Sequence, residues 1–349
     1  MPIDVDQRLI TRLATLGSFL LAYLAYYSYS NRSSKNTMAS VNGPHEPSVA
    51  DVMVVKAMLT KALNIPLEII NSIVDHAEYW PHTTSEVSFE PPMTVRNSQG
   101  GQENMFMLRS PPLGLHNWRD EFSRTDYGKP IHRAPLKPQP PGQEFSADDF
   151  QTLIASPIPL LAHPCRRIVF TTRSHDQGWG GDHNDRGTYY GSWTWFEAGL
   201  ERWCRQPNPA QTAAQQQQPS LKLDDLCTVL PEVVVTERRP DSQSQSRDAY
   251  AYNHPLHPRE DLKIQCNKTA EREPTVHRVA WSYADGIDPE RDVEAAERLA
   301  EQGRGKATGN ARFVRDLRLG DVVTVWANAR FGGWVNTVQS VKMVVYYAV

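Results

Sequence analysis

The sequence predicts a mainly β protein, an antiparallel β-sandwich preceded by a short α-helical hairpin. The first observation is that the chain after Arg166 carries repeated runs in which apolar and polar residues alternate, as in Asp321–Arg330. The second is that only one side of each run is apolar, which is typical of antiparallel strands with one face on a core. The third is an earlier stretch, Ser48–Pro81, in which apolar residues recur at helical spacing.

Six segments are predicted to be strands of the sandwich, and Asn104–Arg109 alternates like an isolated strand. The six segments are Arg166–Arg173, Ser192–Arg202, Leu262–Asn267, Val276–Tyr283, Asp321–Arg330 and Val338–Val349. Trp193 or Trp195, together with Trp326, are expected to face the core because an indole ring buries a large apolar area. The Gln-rich stretch Ala210–Gln218 and the Ser/Gln stretch Asp241–Arg247 are predicted to be surface loops.

The helical hairpin is predicted from its capping residues. Ser48 can cap a helix that runs to Leu63, and Pro66 suits the first turn of a second helix that ends before Trp80. Further short helices are predicted at Phe145–Ala155 and after Asp288. We therefore divide the chain into an N-terminal apolar segment and spacer (1–47), the hairpin (48–81), a linker (82–103) and the sandwich (104–349).

The N-terminal segment Leu9–Tyr27 is mostly apolar and has arginines near both ends. A helix that spans a bilayer needs about 20 apolar residues, so this segment is of marginal length for a membrane anchor. Residues 1–37 could instead be an annotation extension, since Met38 begins an ordinary soluble sequence. Two locations stay open: cytoplasmic or nuclear, or anchored to a membrane by this segment.

Composition argues against several classes of protein. The net charge is −3 and lysines and arginines are spread along the chain, so nucleic acid is not an expected partner. The four cysteines, Cys165, Cys204, Cys227 and Cys266, have an irregular spacing that fits neither a compact disulfide framework nor a zinc knuckle. We expect reduced thiols, and we expect no cofactor.

Several motifs resemble those of an uncharacterised filamentous-fungal family. The motifs are Ser174–Gly180 (SHDQGWG), Ser192–Glu197 (SWTWFE), Gly320–Ala327 (GDVVTVWA), Phe331–Trp334 (FGGW) and Val345–Val349 (VYYAV). The resemblance implies a galactose-binding-like jelly roll. Proteins of that fold bind glycans, proteins or lipids through loops at one end of the sandwich, so the resemblance implies binding and not catalysis.

The hairpin also resembles part of an F-box. In Ile65–Val74 (IPLEIINSIV), a Pro-x-Glu-Ile segment is similar to the start of the surface that docks a ubiquitin-ligase adaptor. The resemblance implies that the docking residues are Pro66, Leu67, Ile69 and Ile70. The second half of the F-box pattern is not recognisable after Trp80, which leaves a plain packing hairpin as the alternative.

Two tryptophans are the main candidates for contact with a ligand. Trp179 and Trp334 each lie in a glycine-flanked loop, where an indole ring can stand exposed as a platform for a sugar or a partner side chain. The polar residues expected beside them are Asp176, Gln177, Arg330 and Asn336. The alternative is that both rings fold back and close the ends of the sandwich.

Catalytic and metal sites are less well supported. Ser174, His175 and Asp176 are sequence neighbours, which point to opposite faces of a strand and cannot form a triad. Asp182 and Asp185 offer oxygen ligands that calcium accepts, but their spacing departs from the EF-hand pattern and polar turns have the same composition.

The sequence therefore predicts a non-catalytic recognition module for a glycan or a protein. One alternative is an F-box-like substrate adaptor of a ubiquitin ligase. A second is a hydrolase in which His175 and Asp176 form an acid/base pair, provided that both face one cleft.

Overall fold

In the computed structural model, the segments with alternating apolar residues form strands, and the longest strands belong to two antiparallel sheets. The structure describes residues 46–97, 102–115, 125–126, 129–130, 134–139, 142–154, 161–205, 225–236 and 249–349. The strands are β1 (His82–Arg96), β2 (Asn104–Arg109), β3 (Thr125–Asp126), β4 (Lys129–Pro130), β5 (Gln143–Glu144), β6 (Cys165–His175), β7 (Thr194–Arg205), β8 (Leu226–Leu230), β9 (Val233–Thr236), β10 (Ala249–Tyr252), β11 (Lys263–Cys266), β12 (Thr275–Ser282), β13 (Val322–Ala329) and β14 (Val335–Tyr347). The helices are α1 (Val49–Leu63), α2 (Leu67–His76), α3 (Ala147–Ile154), α4 (Val293–Glu301) and α5 (Arg312–Asp316), with a short 3-10 helix at Thr308–Asn310.

The two sheets follow the jelly-roll order. The first sheet runs β1-β14-β6-β12 and the second runs β11-β7-β13-β2, with β5 and β8 also paired to β7. These two orders together contain eight strands, which pair in a nested way along the chain. The first pairs with the last (β1 with β14) and the second with the seventh (β2 with β13). The third pairs with the sixth (β6 with β12) and the fourth with the fifth (β7 with β11). This nested antiparallel pairing is that of an eight-stranded jelly roll. The predicted antiparallel β-sandwich, preceded by a helical hairpin, is confirmed.

The hydrophobic core lies between the two sheets. Alternate residues of β14 and β13 point into it, including Met343 and Val345 from the first sheet and Val325 and Ala327 from the second. The largest fully buried core side chains include Phe170 and Trp281, whose rings meet edge to face at 5.0 Å. The period-two pattern of the sequence is therefore the pattern of burial against this core.

The outer face of the second sheet is also covered, which the sequence did not predict. Trp326 lies on this outer face, although its strand had suggested a place in the core between the sheets. Its ring packs against Tyr252 and His254, at centroid distances of 5.3 and 4.9 Å. The segment after β10 thus forms a second layer over the sheet, and β13 is buried on both faces.

A bidentate ion pair lies under this layer. Arg109 donates from Nε and Nη2 to the two carboxylate oxygens of Glu201, at 2.8 Å each. Both side chains are almost completely buried. The pair joins β2 to β7 across β13, where Arg109 is the register partner of Thr324 and Glu201 is that of Val322.

The segment predicted as a linker contains a strand. His82–Arg96 forms β1, which pairs with β14 at the edge of the first sheet. Pro91 and Pro92 argued against a strand, since proline cannot donate to a ladder. They lie in the irregularity between Ser88 and Met93, where pairing is interrupted, and an edge strand tolerates prolines there.

The helical hairpin forms as predicted, but part of its expected buried face is exposed. Ser48 and Asp51 make a reciprocal capping box at the start of α1, and Asn64 ends the helix in the left-handed conformation. Val52, Ile70 and Val74 form a small buried cluster. Met58 had the helical spacing of a buried residue, yet 63% of its surface is exposed.

Two cysteines come together although their spacing gave no sign of it. Cys204 on β7 is disulfide-bonded to Cys227 on β8, with their Cα atoms 6.1 Å apart. The expectation of a reduced thiol is wrong for this pair, because neighbouring strands bring together residues that are distant in sequence. Cys165 and Cys266 are buried free thiols, and burial raises the pKa of each to about 12.

Candidate functional site

Two loops that follow β6 and β13 meet at one end of the sandwich. The side chain of Gln177 joins them, since its Nε2 donates to the carbonyl oxygen of Trp179 at 2.7 Å and its Oε1 accepts from the backbone N–H of Val335 at 3.1 Å. The ring of Trp179 lies against Gly333, where a Cβ atom would be 3.1 Å from its Cη2 atom. Gly333 also has a φ of +95°, so a side chain at this position would strain the backbone and crowd the indole of Trp179.

Exposed aromatic rings lie on these loops. Trp179 is 59% exposed and Phe331 is 43% exposed, while Trp334 is half-buried. The Phe331 ring stands edge to face on Trp193, with a centroid distance of 4.5 Å. We call Trp179, Phe331 and Trp334 the end platform. Phe331 was not among the residues predicted to bind, because the sequence alone does not tell an exposed loop phenylalanine from a buried one.

Asp176 supports the end platform from below. Its carboxylate is fully buried and accepts from the backbone N–H groups of Ala270, at 2.9 Å, and of Gln177. Burial raises the pKa of Asp176 to about 7, and the two N–H donors act in the opposite direction. An acid/base pair with His175 needs both groups in one cleft, and a fully buried Asp176 does not meet that requirement.

The stability of the protein should depend on pH through Asp176. Its pKa is 3.8 in the unfolded chain and about 7 in the folded protein, so the unfolded chain releases a proton in this interval that the folded protein keeps. The stability that Asp176 contributes in its protonated form is fully present below the unfolded pKa and is lost as pH rises to about 7. Relative to Asp176→Asn, the wild type should lose stability over this interval with a slope of at most about 1.4 kcal/mol per pH unit. Urea denaturation of both proteins at stepped pH measures this difference, and a pH-independent difference would contradict the assignment.

Asn336 lies in a fully buried polar network that joins the two sheets. Its Oδ1 accepts from Asn267 Nδ2 at 3.0 Å, and its Nδ2 donates to the carbonyl oxygens of Trp195 and Asn328 at 3.3 Å each. Asn267 continues the network, accepting from Ser174 at 2.6 Å. Asn336 is therefore a structural support under the end platform.

Arg330 is buried on the outer face of the second sheet. Its Nη2 donates to the carbonyl oxygen of Pro255 at 2.9 Å, and its Nη1 donates to that of Glu103 at 3.1 Å. The guanidinium lies over the ring of Trp195, 4.9 Å from the centroid. Of the six residues predicted to contact a ligand, Gln177, Trp179 and Trp334 have accessible surface, whereas Asp176, Arg330 and Asn336 lie beneath them or inside the fold.

The loop with the proposed oxygen ligands is a compact turn. Asp182 Oδ1 accepts from the backbone N–H of Asn184 at 2.9 Å, and the carbonyl oxygen of Asp185 accepts from Thr188 Oγ1 at 2.7 Å. Over the described ranges, no group of three or more histidine, cysteine, aspartate or glutamate side chains is placed to hold a metal ion. The turn is explained by these internal hydrogen bonds.

The predicted adaptor-docking residues divide into exposed and buried ones. Pro66 is exposed, Leu67 is 52% exposed and Ile69 is 45% exposed. Ile70 is completely buried in the cluster of the hairpin. Only the first three present a surface that a partner could contact directly.

A second concave region was missed by the sequence analysis. It lies on the outer face of the second sheet and is lined by Glu197, His254 and Trp326, among others. In the sequence, His254 and His257 enclose Pro255 and Leu256, a composition that indicates a turn. No sequence signal places Glu197 opposite this turn, because the contact depends on how the segment after β10 crosses the sheet.

Comparison of the chain with protein-family models, with curated proteins and with solved structures finds no match. The galactose-binding-like and F-box-like resemblances therefore stay predictions. In the part of the chain that the structure describes, no helix has the length and apolar composition needed to cross a bilayer. The predicted anchor Leu9–Tyr27 and the predicted loops Ala210–Gln218 and Asp241–Arg247 lie outside the described residues.

Proposed function

We propose that this protein is a non-catalytic recognition module that binds a glycan through the end platform. The observation that carries the proposal is the exposure of Trp179, at 59%, on a loop whose position is fixed by hydrogen bonds from Gln177 and to Asp176. An indole that keeps more than half of its surface exposed is available to stack on a ligand. A loop that is already ordered loses little conformational entropy on binding.

The surroundings of the end platform favour a sugar as ligand. Gln177, Asp182 and Asn184 belong to the same loop as Trp179, and they supply donors and acceptors for hydroxyl groups. Aromatic faces flanked by such groups suit a ring that has an apolar face and a hydroxylated edge. The resemblance to galactose-binding-like jelly rolls, which bind through end loops, agrees with this proposal. A protein partner is the alternative outcome.

Replacing Trp179 by alanine should weaken glycan binding at least about tenfold, because a central tryptophan commonly carries a large share of the binding energy. A glycan array probed with the full chain identifies the ligand, and calorimetry with that glycan measures the affinity of each variant. Thermal unfolding should change little, since the Trp179 side chain is mostly exposed.

The matched control is Met58→Ala, which removes an apolar side chain of similar exposure, 63%, from the helical hairpin. Its affinity for the glycan should equal that of the wild type. An array without any bound glycan, or equal affinities of wild type and Trp179→Ala, would remove the end platform as a glycan site.

The exposed apolar residues of the hairpin favour a second candidate, an F-box-like adaptor. Leu67 and Ile69 keep 52% and 45% of their surface exposed at the start of α2, where the resemblance to an F-box begins. A pull-down with a ubiquitin-ligase adaptor should then retain the wild type and Trp179→Ala, and should lose the double variant Leu67→Ala/Ile69→Ala. Failure of the wild type to bind would remove this candidate and leave the end platform untouched.

A further inference from the structure

A cavity of about 200 Å³ opens on the outer face of the second sheet, under the layer formed by the segment after β10. Glu197 and Trp326 lie at its floor and are only 7% and 5% exposed. Glu232 and Asn253 are exposed and His254 is half-buried, so these residues form the rim. The cavity has the volume of about seven water molecules in the liquid, which is room for one small molecule.

Glu197 differs from Glu201, the other carboxylate on this face of β7. Glu201 is fully engaged by the guanidinium of Arg109. Glu197 accepts the backbone N–H of Arg259 on its Oε1 at 2.8 Å, and it forms no ion pair with any residue that the structure describes. Burial raises the pKa of Glu197, and hydrogen bonds from the backbone N–H of Arg259 and from the Trp195 side chain oppose this rise. Each carboxylate oxygen can accept two hydrogen bonds, so Glu197 keeps acceptor capacity toward the cavity that it lines.

His254 brings a second polar group to the same cavity. Neither ring nitrogen of His254 forms a hydrogen bond within the described part of the chain, and its ring packs on Trp326 at 4.9 Å. Burial, with a smaller contribution from Arg330, lowers the pKa of His254 to about 4. At neutral pH the ring is therefore uncharged and offers one donor and one acceptor.

Trp326 provides an apolar surface at the floor. Its Nε1 donates to Thr324 Oγ1 at 3.2 Å within the sheet, so the polar edge of the indole is already engaged. The neighbouring strand has Gly199 at this point, where a Cβ atom would lie only 2.3 Å from Thr324 Oγ1 and 3.1 Å from the indole nitrogen. The absence of a side chain at position 199 is what allows the indole to lie across β7.

The charges around the cavity are balanced. The guanidinium of Arg259 donates to both carboxylate oxygens of Asp261, at 3.2 and 3.0 Å, and lies 3.9 Å from Glu232. The cationic group at the rim is thus neutralised by its own neighbours, and His254 is uncharged. An anionic ligand would find no unpaired positive charge at the cavity. A cationic ligand would meet only the carboxylate of Glu197, whose charge Arg330 and Arg259 partly offset.

We propose that this cavity is a second binding site, separate from the end platform, for a neutral polyhydroxylated molecule of the size of one sugar unit. Its hydroxyl groups would bond to the carboxylate of Glu197, to the imidazole of His254 and to the amide of Asn253. The apolar face of its ring would lie on Trp326. This site rests on the cavity and its residues and is independent of whether the end platform binds a glycan.

Saturation-transfer NMR of the full chain with free glucose, galactose, mannose and N-acetylglucosamine tests the proposal. At least one of these sugars should bind, with a dissociation constant on the order of 1 mM, as expected for so small a ligand. Glu197→Gln keeps the shape of the side chain and an oxygen for the bond to Arg259, but it replaces the other carboxylate oxygen by an N–H donor, so it should weaken sugar binding at least about tenfold. His254→Ala, at the rim, should also weaken sugar binding. This variant tests the proposal if Glu197→Gln does not fold.

Met58→Ala, in the helical hairpin and outside both sites, is the matched control, and it should bind the free sugar as the wild type does. The absence of saturation transfer from all four sugars to the wild type would overturn the proposal. So would sugar binding that is lost in Trp179→Ala but kept in Glu197→Gln and His254→Ala, since the sugar would then occupy the end platform. Conversely, glycan binding that Trp179→Ala does not affect and Glu197→Gln abolishes would support the cavity and remove the end platform.

Discussion

Replacing Arg109 by methionine should lower the free energy of unfolding by about 3–5 kcal/mol, the cost of leaving one charge of a buried pair without its counter-ion. Methionine has nearly the length of the arginine stem, so little packing is lost. The carboxylate of Glu201 would remain under the layer that covers the second sheet, without the two 2.8 Å hydrogen bonds that now hold it. Urea denaturation followed by tryptophan fluorescence measures the change.

The double variant Arg109→Met/Glu201→Leu is the control for this interpretation. It removes both charges, and replacing a buried pair by apolar residues of similar volume is often neutral. The double variant should therefore recover most of the stability that Arg109→Met loses. If both proteins are equally destabilised, shape and not charge accounts for the loss.

The β-sandwich could be predicted because each long strand has one face on the core. In β13, Val323, Val325 and Ala327 alternate with residues of the other face, and this pattern is visible without a structure. The second covering layer could not be predicted in the same way. Trp326 lies on the outer face of the second sheet. When both faces of a strand carry large apolar residues, the sequence does not show which face is turned to the core between the sheets.

The prediction of a linker at 82–103 and that of reduced thiols at Cys204 and Cys227 failed for a related reason. The prolines of β1 are compatible with a strand only because β1 lies at a sheet edge and is irregular between Ser88 and Met93. Edge position is a property of the whole sheet. Cys204 and Cys227 are likewise joined because β8 pairs with β7, and strand order is not encoded in the spacing of two residues.

The candidate site was predictable in its exposed part. Trp179 lies between glycines, and such a loop often leaves a ring at the surface. The polar residues near it in sequence were expected to share this exposure, but Asp176 and Asn336 are fully buried. Asp176 directly follows β6 and Asn336 lies at the start of β14. At the end of a strand a side chain can turn inward and bond to backbone groups at the end of the sandwich. Local composition does not show whether such a side chain turns into the fold or toward the solvent.

Replacing Asn336 by leucine should destabilise the protein by about 3 kcal/mol, because several buried polar groups lose a partner at once and each costs about 1–3 kcal/mol. Asn267 Nδ2 loses an acceptor, and the carbonyl oxygens of Trp195 and Asn328 lose a donor. Leucine has the same branching and the same number of side-chain heavy atoms as asparagine, so it is the apolar side chain that fits this site best. Chemical denaturation measures the loss.

The matched control is Gln339→Leu, which exchanges a half-exposed amide for the same apolar side chain on the same strand. Its free energy of unfolding should change by less than about 0.5 kcal/mol. Asn336 is the neighbour of Val335, whose N–H binds Gln177 and so fixes the loop of Trp179. If the end platform binds because it is held in place, Asn336→Leu should weaken glycan binding even where the protein is still folded, whereas Gln339→Leu should not. Equal binding by both variants would mean that the ring of Trp179 needs no support from the buried network beneath it.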